Sequence, residues 1–164
     1  LLPFWTVRTV FGVATTLRPS MRTLYGRVFL QDRSGKVRRR FQVDLSGEWQ
    51  DGTFVLSEDF RFADGETDTR VWYIRPDGAH GYEGRADDVD GVARGVAHGN
   101  ALNWHYVLLL PLEGRTWRVR FDDWMFLQED GVLMNRATMS KFGIRLGEIT
   151  IFFTRHHSDR QASP

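Results

Sequence analysis

The strongest constraint on the fold is an alternation of apolar and polar residues that recurs along the chain. A period of two places successive side chains on opposite faces of a β-strand, so each alternating segment predicts a strand with one buried face. Turn-forming pairs such as Asp51-Gly52 and Asp64-Gly65 separate these segments, at intervals of about a dozen residues. The clearest alternating segments are 37–45, 54–62, 102–110, 117–121 and 149–153.

These segments predict an all-β protein. About ten short antiparallel strands would leave two sheet edges, and closure into an up-and-down barrel removes both of them. We therefore predict one barrel over residues 21–155, with a β-sandwich as the alternative. The side chains of five residues are predicted to be largely buried in it: Phe41, Phe54, Phe60, Tyr106 and Phe121. Helix is expected only around Thr138–Phe142 and in residues 1–20, which are predicted to be helical or extended. The polar residues 156–164 are predicted to form a flexible tail.

Composition limits the organisation and the partners of the chain. A length of 164 residues with 41% hydrophobic residues suits one domain with a single core. The net charge of +1 provides no field that would attract nucleic acid, and the absence of cysteine excludes disulfides and thiol chemistry. The spacing of histidines and carboxylates predicts no metal site, and no motif points to a cofactor.

Residues 1–20 combine apolar and aromatic side chains with arginine, and the first acidic residue of the chain is Asp32. Such a segment is typical of contact with a membrane surface or a partner protein. It also resembles part of a transit peptide. The alternative is a first strand or lid that packs on its own barrel.

The segment GVARGVAHG, residues 91–99, has only glycine and alanine at its odd positions. As a strand it would carry almost no side chain on one face. Either a bulky group packs closely against that face, or a ligand cavity lies over it. Ala93, Gly95 and Ala97 are therefore candidate ligand-binding residues.

Acidic residues in apolar segments are candidate polar contacts. Glu58 is in register with the apolar residues of 54–62, and a buried carboxylate must be paired or protonated. It is predicted to be an anchor or base inside the barrel, with an outward bulge or a structural arginine pair as alternatives. Across Asp122 and Asp123 the apolar positions switch from odd to even numbers, which predicts a β-bulge. One of these two carboxylates is predicted to hold Arg85 or Arg136.

The remaining candidates lie in the second half of the chain. His98 and His105 are single histidines on strands, and such a histidine is more often a hydrogen-bonding residue than a catalyst. Lys141 is predicted to meet an anionic head group at the barrel mouth. The other predicted ligand-binding residues are Asn103, Trp104, Trp124, Met125 and Asn135.

The segments QDRSGKVRRRF, GYEGRADDVDGVARGVAHGNALNWHY, VRFDDWMFL and MNRATMSKFGIRLGEITIFF resemble a bacterial family of unknown function. Its members are mostly small predicted lipoproteins of the cell envelope. The resemblance implies a lipocalin-like (calycin-like) barrel, a periplasmic location at the membrane and a link to lipids, because the family's genes often lie beside those for cyclopropane-fatty-acid synthase. The chain departs from the family pattern in lacking a cysteine for lipidation. A mitochondrial membrane complex is the alternative location.

Three functions remain open at this point. The first is binding of a fatty acyl or other hydrophobic molecule in the barrel. The second is a non-catalytic accessory subunit of a membrane protein complex, docked through residues 1–20. The third is an isomerase or cyclase acting on a lipid, with Glu58, Asp123 or His98 transferring protons. The absence of a recognised catalytic motif favours a binding protein.

Overall fold

The computed structural model describes residues 23–112 and 114–155, and these residues form ten β-strands. The strands are β1 (Thr23–Asp32), β2 (Val37–Gln50), β3 (Thr53–Phe62), β4 (Thr67–Asp77), β5 (Gly81–Arg85), β6 (Ala93–His98), β7 (Ala101–Leu112), β8 (Arg115–Leu127), β9 (Leu133–Lys141) and β10 (Ile144–Arg155). The predicted N-terminal segment and C-terminal tail lie outside the described residues.

Each strand pairs antiparallel with its neighbours in sequence, and β1 pairs with β10 to close the barrel. The prediction of an antiparallel up-and-down barrel is confirmed. The predicted helix at 138–142 is wrong, because residues 138–141 continue β9 and residues 138–140 pair with β8. Within the described residues, no helix has the length and apolar character needed to cross a membrane.

The core lies inside the barrel and follows the period of two. In β8, Val119, Phe121, Asp123 and Leu127 are buried and alternate with more exposed residues. Of the five residues predicted to be largely buried, Phe54 and Phe121 are buried, and Phe41, Phe60 and Tyr106 are partly buried against the core. The inward side chains of the strands therefore determine what the interior of the barrel can hold.

Strand β6 is shorter than the alternating segment predicted. Gly91 and Gly99 have φ angles of +75° and +57°, a backbone conformation that favours glycine, and they lie in the turns on either side of β6. Only Ala93, Gly95 and Ala97 face inward, and all three are buried.

Candidate functional site

A cavity of about 140 Å³ lies inside the barrel. Its lining comes from the inward positions of β1–β4 and β7–β10, and β5 and β6 contribute no residue to it. Most of the lining is aliphatic or aromatic. The polar exceptions are Ser46, Glu58, Arg70, Tyr106, Asp123 and Asn135.

One polar group in this wall is built around Arg70. Its guanidinium donates from Nε to the two carboxylate oxygens of Asp88 at 3.0 and 2.8 Å, and its Nη2 lies 2.7 Å from Asp88. Its Nη1 donates to Glu58 at 3.2 Å. Glu58 lies opposite Arg70 in the register of β3 and β4, so the sheet itself brings these two side chains together. Glu58 therefore faces the interior, as predicted, and it also forms the arginine pair that was the alternative.

A second polar group is built around Asp123. The amide nitrogen of Asn135 donates to one oxygen of its carboxyl group, and the Tyr106 hydroxyl lies 3.4 Å from the other. Asp123 on β8 is 7% exposed and Asn135 on β9 is 4% exposed. The side chains therefore meet inside the barrel, on its lining.

Burial controls the protonation of these groups. Desolvation raises the pKa of Asp123 to about 7, although the hydrogen bond from Asn135 opposes the shift. Desolvation also raises the pKa of Glu58, against the attraction of Arg70. The pKa of Tyr106 is raised well above its ordinary value by burial and by the charge of Asp123. Near neutral pH, Asp123 is thus divided between its protonated and ionised forms.

A row of aromatic side chains lies between the cavity and the two short strands β5 and β6. Trp104 packs edge-on to Trp72, with ring centroids 5.9 Å apart, and Tyr106 stacks on Phe121 at 5.0 Å. A Cβ atom at Gly84 would lie 2.5 Å from the Trp104 ring, and one at Gly95 would overlap it. The bare face of β6 is therefore covered by a tryptophan.

This arrangement corrects the prediction for β6. The expectation of a cavity directly over Ala93, Gly95 and Ala97 is wrong, because Trp104 lies against this face and the cavity lining excludes these three residues. The other alternative, a bulky group against small residues, is the observed one. Trp104 itself lines the cavity.

The predicted bulge at Asp122 and Asp123 is also wrong. The ladders from β8 to β7 and to β9 run through these residues without a register shift. The odd positions stay inward, so Met125 lines the cavity and Trp124 is 42% exposed on the outer face. The apolar pattern switches there because Trp124 stacks on Phe126 outside the barrel.

The predicted pairing of Asp122 or Asp123 with Arg85 or Arg136 is wrong as well. Arg85 is exposed on β5, where it is paired with Tyr73 of β4, and β5 is not a neighbour of β8. Arg136 pairs with Glu148 on the outer face at 2.7 Å. The arginine inside the cavity is Arg70.

Two other predicted contacts lie away from the cavity. The Asn103 amide donates to Asp122 at 2.8 Å, and neither residue belongs to the lining. The Lys141 ammonium lies 3.5 Å from the centroid of the Trp117 ring. The structure thus brings together Glu58, Trp104, Asp123, Met125 and Asn135 among the predicted ligand-binding residues, and ligand binding by the whole set stays a prediction.

Sequence reasoning missed three residues of these two polar groups. Arg70 lies on the same face of β4 as the buried Trp72 and Ile74, because the three are alternate residues of the strand. This signal could have placed Arg70 inside the barrel. Tyr106 was predicted to be buried but not to contact a carboxyl group. Asp88 lies between β5 and β6, and no pattern in the sequence could have placed it beside Arg70.

The closed ten-stranded barrel with a mostly apolar cavity inside it defines a lipocalin-like fold. The family described as "Protein of unknown function (DUF3833)" matches residues 21–155, and the chain belongs to this family. The fold is similar to that of the S-type phycobiliprotein lyase CPES from Guillardia theta, with a TM-score of 0.67, 9% identity and 94% of each chain covered. No curated protein matches the sequence.

Proposed function

We propose that this protein binds a fatty acyl group or another hydrophobic molecule inside its barrel. The observation that carries the proposal is the cavity, whose apolar walls surround a few polar side chains. Sites for small molecules typically combine such walls with a few polar groups that orient the ligand. The likeness to a phycobiliprotein lyase supports the fold on which this proposal rests.

The size of the cavity limits what it holds. Pockets for drug-sized ligands have volumes of roughly 300–1,000 Å³, whereas an apolar cavity of about 150 Å³ accepts benzene. The observed volume of about 140 Å³ is therefore suited to a compact group or to the end of a longer chain.

A second function, proton transfer to the bound molecule by an isomerase or cyclase, is favoured by one observation. Asp123 faces the cavity beside Tyr106 with a pKa of about 7, and a general acid or base works best when its pKa lies near the ambient pH. Recovery of the bound molecule chemically unchanged after prolonged incubation with the protein would count against this function.

The membrane setting is part of the proposal and is supported by the sequence of residues 1–20, which is apolar, basic and free of acidic side chains. Such a segment suits a membrane surface or a membrane protein complex. In this setting the barrel would exchange hydrophobic molecules with the membrane beside it.

Native mass spectrometry of the gently isolated full chain tests the binding function. We expect a bound small molecule, which the cavity-filling substitution Ala137→Phe removes, because Ala137 lines the cavity. Ala79→Phe is the matched control, since Ala79 is exposed in the turn between β4 and β5. Equal retention of the molecule by both variants, each shown to be folded by its thermal transition, would contradict binding in the cavity.

A further inference from the structure

The positive charge in the cavity wall is already neutralised. Arg70 is the one cationic side chain among the described residues of the lining. Asp88 accepts from its Nε and Nη2, and Glu58 accepts from its Nη1. Two carboxylates thus face one guanidinium, which leaves no net positive charge to attract an anionic ligand.

Two neutral donors of the wall are also in use. The Asn135 amide and the Tyr106 hydroxyl both donate to the carboxyl group of Asp123. The Trp72 side chain hydrogen-bonds to Glu58. These three donors are therefore paired with acceptors of the wall itself. The carboxyl groups of Glu58 and Asp123 retain free accepting capacity, because a carboxylate has about four lone-pair sites.

The geometry points to a ligand class: a compact hydrophobic molecule that carries a hydrogen-bond donor, an ammonium or hydroxyl group, and not a free carboxylate. This inference rests on the proposed function and narrows it. The donor would lie between Glu58 and Asp123, and the apolar part would pack against Trp104, Phe121 and the aliphatic wall.

A carboxylate would meet the opposite environment. It would add a negative charge to a lining in which Arg70 is already paired with Glu58 and Asp88, close to the ionised fraction of Asp123. Burial of an unpaired charge next to like charges is strongly unfavourable. An ammonium would instead donate charge-assisted hydrogen bonds to the carboxylates of Glu58 and Asp123.

Calorimetric titration of the full chain with octylamine, octanol and octanoate tests the inference, because the three probes share one alkyl chain and differ at the polar end. At neutral pH we expect octylamine and octanol each to bind at least about tenfold more tightly than octanoate, a difference that one charge-assisted hydrogen bond supplies. The Ala137→Phe variant should lose the binding of all three probes.

Two isosteric variants assign the preference to the wall. Asp123→Asn and Glu58→Gln should each reduce the advantage of octylamine over octanoate, whereas Asp122→Asn should leave it unchanged. Asp122 is the matched control, because it is the next residue of the same strand and lies outside the lining. Glu58→Gln keeps the test decisive if Asp123→Asn does not fold.

The outcomes separate the two proposals. Binding of octanoate as tight as that of octylamine would overturn the ligand class and leave the binding function standing. A preference for octylamine that neither variant reduces, or that Asp122→Asn reduces equally, would also overturn it. Absence of binding by all three probes would contradict the proposed function itself.

Discussion

Trp104 packs against Gly95 so closely that a Cβ atom at position 95 would overlap the indole ring. The two residues are paired across β6 and β7. The indole bounds the cavity on the side of the short strands β5 and β6. Glycine in a strand interior normally lowers stability relative to alanine by roughly 0.5–1 kcal/mol. Its presence here is explained by the ring that it admits.

The substitution Gly95→Ala should therefore destabilise the protein, although replacing a strand glycine by alanine usually stabilises. We expect a loss of about 1–3 kcal/mol in the free energy of unfolding, as is typical of overpacking, together with a changed tryptophan fluorescence spectrum. Val96→Ala on the outer face, where Val96 is 50% exposed, is the control and should have little effect. A more stable Gly95→Ala variant would show that Trp104 does not occupy this position.

The stability of the protein should fall as the pH rises from about 4 to about 7 through the titration of Asp123. Burial raises the pKa of Asp123 from 3.8 to about 7 in the folded protein, so in this interval the folded state retains a proton that the unfolded state has lost. The free energy of unfolding then falls by up to about 1.4 kcal/mol for each pH unit. Below pH 4 both states are protonated, and above pH 7 both are ionised.

Urea denaturation at pH 5 and pH 8 measures this effect. Asp123→Asn removes the titrating group, so the loss of stability between the two pH values should be smaller in this variant than in the unmodified protein. Asp122→Asn should retain most of the loss, because burial is the main cause of the raised Asp123 pKa and the charge of Asp122 is a minor one. Identical pH dependence in all three proteins would mean that Asp123 ionises normally.

Arg70 should be needed to hold the carboxylates of Glu58 and Asp88 near each other. Arg70→Met leaves their carboxylates without a cation, and removing one partner of a buried pair typically costs about 3–5 kcal/mol. The double change Arg70→Met with Glu58→Gln should cost less than the sum of the single changes, because the two residues are coupled. Arg94→Met removes an exposed pair with Glu83 and should change stability by less than about 1 kcal/mol. Strict additivity of the two cavity changes would contradict the pairing.

Deletion of residues 1–20 tests the predicted membrane contact. These residues lie outside the described part of the chain, and the prediction rests on their apolar and basic sequence. We expect the truncated protein to keep its thermal midpoint but to lose sedimentation with anionic liposomes. Unfolding of the truncated protein, or no liposome binding by the intact chain, would argue against the contact.

The fold followed from the sequence more readily than the site did. Alternation and turn residues report which side chains share a face, and this was enough to predict the barrel and the inward position of Glu58. The same reasoning failed at Trp124, where an aromatic side chain lies on the outer face and mimics an inward position. Alternation along one strand assigns residues to its two faces, but it cannot show which face is inward when both carry aromatic residues.

The contacts of the site depend on more than parity. Arg70 meets Glu58 because the β3–β4 register places them opposite each other, and it meets Asp88 because a loop folds back towards the barrel. Neither the register nor the path of that loop can be read from the period of two. The sequence instead suggested Arg85, a residue on a strand that is not adjacent to the Asp123 strand.

Methyl NMR of the full chain during titration with octanol tests the central claim most directly. If the barrel binds hydrophobic molecules inside, the methyl signals of Leu102, Leu133 and Ile151, which line the cavity, should shift in a saturable manner. The methyl signals of Val96, Leu112 and Ile144, which are exposed, should remain in place. Unchanged interior signals, or saturable shifts confined to the exposed methyl groups, would contradict the account.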